Sequence, residues 1–115
     1  MTFDVEIVLR ERNYAVTEHL QHPKEAAAWT EHDVESVLKD ILLAIDRAKN
    51  PEAVERYVAL RGFSWIVEPT PDGVVIAIEI PMGAAVAGPF AVEQSRLDLL
   101  IARVLASASP RTVVH

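Results

Sequence analysis

Three histidines stand close together near the start of the chain, His19, His22 and His32, with Glu18 and Asp33 beside two of them. Imidazoles three residues apart can share a helix face and hold zinc or nickel through their ring nitrogens. Pro23 directly follows His22, however, and a proline disfavours helical backbone in the residue before it. No further ligand stands at a diagnostic spacing, so His19, His22 and His32 form only a loose metal-like grouping, and neither a metal nor a cofactor is expected.

Other chemistries find less. Gly83 and Gly88 have the spacing of a phosphate-cradling loop, but Pro89 and Phe90 follow where that loop needs Lys and Ser or Thr. Ser36, Ser64, Ser95, Ser107 and Ser109 lack the strained Gly-x-Ser-x-Gly setting of an activated nucleophile. The carboxylate pairs Glu31/Asp33 and Glu52/Glu55 suit helix N-termini, where the dipole favours negative charge. With no cysteine, thiolate catalysis, disulfides and Cys-ligated metal sites are excluded. No catalytic residue is assigned, and a non-enzymatic role is expected.

Among the aromatic residues, Phe63 and Trp65 stand next to apolar strand positions and read as core. Trp29 precedes a helix start in a polar stretch, where it is either a hydrophobic staple or an exposed contact. The candidates for a partner surface are Trp29, Ile66, Val75 and Ala77.

The elements that would position these residues follow from hydrophobic period. Phe3, Val5, Ile7 and Leu9 alternate with Asp4, Glu6 and Arg10, which predicts a strand with one wet face. Glu11-Arg12-Asn13 can turn the chain into a second strand, Tyr14 to Leu20. Residues 21–29 read as a loop or a short helical turn. Thr30 followed by Asp33 resembles a capping box, and Val34, Val37, Leu38, Ile41, Leu42 and Ile45 then keep helical spacing up to Asn50-Pro51. Beyond it two readings stay open: a short helix ending at Gly62, or one strand from Tyr57 to Val67 bent at Gly62. Phe63–Val67 and Gly73–Ile80 flank the turn cluster Glu68-Pro-Thr-Pro-Asp-Gly and predict a hairpin. Ala84–Ala87 predicts a further strand. Ser95-Arg96-Leu97-Asp98 offers a cap for a second helix carrying Leu97, Leu100, Ile101, Val104 and Leu105.

The expected class is therefore α+β: a single small antiparallel sheet with two amphipathic helices on one face, in the order β-(β)-α-β-β-β-α. The 115 residues suit one domain over 1–115, with a frayed tail over 108–115. Half of the residues are hydrophobic, which argues against disorder. The start of the chain lacks a basic stretch followed by an apolar core, and no apolar stretch is long enough to span a bilayer, so a cytoplasmic protein without a membrane partner is expected. From Thr30 onward the order resembles the αβββα order of double-stranded RNA-binding domains. Those domains start their final helix with basic residues, whereas Glu93, Gln94, Ser95, Arg96 and Asp98 stand here. With a net charge of -6 and no basic cluster, no nucleic-acid partner is expected. The order is also similar to that of small, acidic, dimerising bacterial secretion-chaperone-like domains.

One consequence concerns assembly. Trp65 and Val67 oppose Ile66 across the strand, and Ile76 and Ile78 oppose Val75 and Ala77, so the central strands are apolar on both faces. Helices on one side would leave the other face bare, and large apolar patches rarely stay exposed on monomers. A homodimeric binding or scaffold module is the leading expectation. The alternative is a small-molecule-binding protein or enzyme with its pocket between the C-terminal helix and the sheet.

Overall fold

The computed structural model describes residues 1–108. Its alternating strand, β1 (Thr2–Leu9), buries every second side chain. β1 pairs antiparallel with β2 (Ala15–Gln21), one residue later than the pattern suggested. The chain then makes a single 3-10 turn over Ala26–Ala28 and enters the long helix α1 (Glu31–Lys49). The helix begins as its sequence demands. Thr30 Oγ1 accepts from the Asp33 amide, and the Asp33 carboxylate accepts from the Thr30 amide at 2.9 Å. Glu31 and Asp33 lie in the first turn and Arg47 and Lys49 in the last, each on the favoured end of the dipole.

Residues 51–63 form neither the short helix nor the bent strand. They fold back as irregular chain on the end of α1, where Arg56 donates to Asp46 Oδ2 and to the Asn50 carbonyl, both at 2.9 Å. Val54 and Tyr57, which would have supported a helix stripe, instead stand 97% and 85% exposed. β3 (Ser64–Thr70) and β4 (Gly73–Ile80) form the expected hairpin, with a tighter turn than the cluster suggested: only Pro71 and Asp72 lie between the strands. Thr70 Oγ1 closes it, donating to the Gly73 carbonyl at 2.8 Å and accepting from the Asp72 amide. β5 (Gly83–Phe90) extends beyond Ala84–Ala87 at both ends and completes a sheet of order β2-β1-β5-β4-β3 with every neighbouring pair antiparallel.

The second helix, α2 (Gln94–Ser107), starts earlier than Ser95 and has Glu93 at its cap without a side-chain bond. Its start is held sideways instead, by Gln94 Nε2 donating to the Val67 carbonyl of β3 at 2.8 Å. Of the expected frayed tail, Ala108 caps α2 and 109–115 lie outside the described residues.

The architecture is thus α+β, one five-stranded antiparallel sheet with α1 and α2 on the same face. Between them lies the core: Phe3, Val5, Ile7 and Leu9 from β1, Ile76 and Ile78 from β4, and the stripes Val34–Ile45 and Leu97–Val104 from the helices. Small residues on β5, Ala85 and Ala87, let the helices approach the middle of the sheet closely.

Candidate functional site

The three histidines do not converge. His19 lies on the exposed side of edge strand β2, its Nδ1 2.5 Å from Asp4 Oδ1 on β1. His32 is exposed on the first turn of α1. His22 is buried, and its Nδ1 accepts from the Lys24 amide at 3.1 Å while Nε2 lies 3.7 Å from Asp33 Oδ1. Among the described residues no group of three His, Asp or Glu side chains is placed to hold a metal ion.

A clasp that residue spacing does not disclose forms at His22. Asp33 accepts from Lys24 Nζ at 2.8 Å and from Thr30, and these bonds hold its carboxyl well below the usual range although burial works against them. Trp29 fills the space beside it, and here the expectation of an exposed partner contact is corrected: its exposure is 0%. Its ring meets Phe90 edge-on at 5.1 Å and His22 at 5.5 Å, while Nε1 donates to the Lys24 carbonyl. A tryptophan so placed is core, because both its ring and its N–H are satisfied internally. The Lys24–Asp33 pair ties the loop before α1 to the first turn of the helix.

Beneath α2 the described side chains are apolar: Leu97, Ile101, Val104, Phe90 and Val67 belong to one buried cluster. His22 and Asp33 are the buried polar residues, and no buried side-chain nitrogen or oxygen among the described residues lacks a hydrogen-bond partner.

What remains uncovered is the other face of the sheet. Strand alternation and register place Thr2, Asp4, Glu6 and Val8 of β1 there, with Ala84 and Val86 of β5, Ala77 and Glu79 of β4, and Ser64, Ile66 and Glu68 of β3. Val75 shares this side beside a register shift in β4. Val8, Ile66 and Val86, on β1, the edge strand β3 and the central strand β5, are 49%, 54% and 43% exposed and together make an apolar patch. Between Ile66 and Val86 the small Ala77 and Ala84 leave a hollow of about 350 Å³. The face therefore carries both projections and a depression.

Beyond one end of this face lies a larger cavity, about 700 Å³, lined by Arg10, Phe63, Ser64, Glu79, Val8 and Ala84 among others. Arg10 continues the outward alternation of β1, and its amide donates to the Met82 carbonyl. Its guanidinium forms no hydrogen bond or ion pair with the described residues, and the Glu6, Glu68 and Glu79 carboxylates likewise have no cationic partner among them.

Of the partner-surface candidates, Ile66, Val75 and Ala77 thus lie together on the helix-free face and Trp29 does not. Val8, Val86 and Arg10 were missed, although the alternation of β1 puts Val8 and Arg10 opposite Ile7 and Leu9 in plain view. Among the described residues no helix is long and apolar enough to cross a membrane. Comparison with known protein families, with characterised proteins and with solved structures finds no match.

Proposed function

We propose that the chain is a single-domain, non-enzymatic binding or scaffold module that works as a homodimer, with the helix-free face of the sheet buried against a second copy. One observation carries this reading: the apolar band of Val8, Val86, Ala77 and Ile66 runs across four adjacent strands and has no cover from the described residues. Such a band suits a binding surface rather than bare solvent. Removing the remaining exposed surface of Val8, Val86 and Ile66 would stabilise a complex by roughly 1 kcal/mol each.

The filled, apolar layer between α2 and the sheet supports this reading over a pocket enzyme, because a catalytic pocket needs convergent polar groups. The acidic balance speaks against nucleic acid, and Arg96, the one base at the start of α2, is already bound to the Trp29 carbonyl at 2.7 Å. Sedimentation of the parent chain and of Ile66→Asp at tens of micromolar tests the proposal. The parent is expected at twice the chain mass. Ile66→Asp is expected to weaken association at least tenfold with little change in protomer folding, since Ile66 is half exposed in the protomer. A parent of single-chain mass overturns the reading.

A further inference from the structure

We infer that the second copy docks about a two-fold axis crossing the strands along the row Val16–Ile7–Ala85–Ile78–Trp65, so that Arg10 of each protomer meets Asp4 of its partner and Val86 enters the hollow over the partner's Ala84. This geometry rests on the self-association proposed above and adds to it a specific arrangement. The row is continuous in the sheet: Val16 pairs with Ile7, Ile7 with Ala85, Ala85 with Ile78 and Ile78 with Trp65.

Two sheets stacked face to face keep their strands within about 30° of one another, so a two-fold axis between them runs either along the strands or across them. An axis along the strands, between β5 and β4, lays β1 over the partner's β3. Asp4 then lies over Glu68, Glu6 over Ile66, and Arg10 over the chain before Ser64, where no acid stands; an axis over β5, or between β1 and β5, lays Arg10 over Pro81 or Met82, again without a carboxylate. An axis across the strands reverses each strand on itself and gives charge something to pair with, because the outward side of β1 reads Asp4, Glu6, Val8, Arg10.

Register then selects the row. An axis through Glu6, Val86, Ala77 and Ile66 stacks Glu6 on Glu6. An axis through Val8, Ala84, Glu79 and Ser64 stacks Glu79 on Glu79. Between them, the Ile7 row exchanges Asp4 with Arg10, Glu6 with Val8, Val86 with Ala84, Ala77 with Glu79 and Ile66 with Ser64. No acid then faces an acid, Arg10, which has no ion pair among the described residues, gains a carboxylate, and a large side chain on the middle strand meets a small one. Like charges opposed at an interface cost affinity, so these differences decide the docking.

About the Ile7 row only three to five residues of each strand overlap their symmetry mates, so at about 4.8 Å between strands and about 3.3 Å per residue the contact offers roughly 350 Å² per face and the pair buries on the order of 700 Å², the size of a weak association.

Charge reversal across the axis tests the geometry. The dimer dissociation constant of the full chain is measured by sedimentation equilibrium for the parent, Arg10→Asp, Asp4→Arg, the double variant, and an equimolar mixture of the two single variants. Each single variant opposes like charges at both symmetry-related contacts and is expected to dissociate about tenfold more readily than the parent. The double variant, and the heterodimer formed in the mixture, restore both pairs and are expected within about threefold of the parent. His19→Ala, which removes the intrachain partner of Asp4, is expected to leave the dimer intact, and circular dichroism confirms that each variant folds. A parent dimer indifferent to both single reversals, or not rescued by their combination, overturns the geometry while the dimer stands. A monomeric parent overturns both.

Discussion

Arg96 on the first turns of α2 donates from Nη2 to the carbonyl oxygen of Trp29 at 2.7 Å, joining two points 67 residues apart in the chain. The bond explains why a single arginine stands among acids there. The indole of the same tryptophan lies against Phe90, and Phe90 in turn lies 5.0 Å from Phe3, so one side chain ties the loop before α1 to both β5 and β1.

Trp29→Ala is therefore expected to be among the most damaging single substitutions. Emptying a fully buried tryptophan site costs about 3–5 kcal/mol, and in a domain of this size the melting temperature should fall by on the order of 10 °C or more. Arg96→Ala removes one partly exposed charged bond and should cost only about 1 kcal/mol. Thermal unfolding followed by circular dichroism checks both. Equal losses would mean that the bond, not the ring, organises this corner.

Asp33 makes stability depend on acid. The hydrogen bond from Lys24, followed by that from the Thr30 amide, holds its folded-state carboxyl below the ordinary aspartate value of about 3.9. On acidification the unfolded chain takes up the proton first. The contribution of Asp33 is thus complete at neutral pH, begins to fall near pH 4–5, and goes on falling until the folded carboxyl itself protonates. Glu35, held low by Lys39, acts in the same direction, as does Asp46, where bonds from Arg56 and Asn50 outweigh the opposing burial. Urea midpoints at pH 6 and pH 3 should differ less for Asp33→Asn than for the parent. The variant should also be the less stable of the two at pH 6. An unchanged pH slope would place the acid sensitivity elsewhere.

The parts of the molecule differ in how far the sequence discloses them. The Thr30–Asp33 cap and the stripe from Val34 to Ile45 are local, and spacing alone predicts them. The bare sheet face is also legible, because Ile66, Val75 and Ala77 are apolar at positions opposite an apolar core. Trp29 is not: its burial depends on Phe90, 61 residues away, and no local period encodes a contact between a loop and a strand end. Residues 51–63 mislead for the opposite reason. Val54 and Tyr57 have helical spacing, but Arg56 finds Asp46 and the Asn50 carbonyl, and the polar attachment wins over the apolar pattern. The outward side of Arg10 follows from the alternation of β1, but its place beside Phe63, Ser64 and Glu79 exists only in the assembled sheet.

Glycine separates two kinds of constraint in the same sheet. Gly83 opposes Leu9 across the β1–β5 pair, and a Cβ there would collide with the Val8 carbonyl oxygen and lie 3.0 Å from the Leu9 Cα. Its requirement is space against a backbone that cannot move without breaking the pairing. Gly62 instead has φ +80° with nothing within 4 Å, so its requirement is conformational. Gly83→Ala is expected to cost roughly 2–3 kcal/mol, as overpacking against rigid neighbours does, and Gly62→Ala about 1–2 kcal/mol from the left-handed backbone. The two should differ more clearly in where they act. Native-state hydrogen exchange of Gly83→Ala should show faster exchange of the β1 amides that face β5, whereas Gly62→Ala should leave those amides protected as in the parent. A Gly83→Ala protein with β1 fully protected would show that β5 can shift to admit the methyl group. The docking row through Ile7 and Ala85 would then lack the fixed register on which it depends.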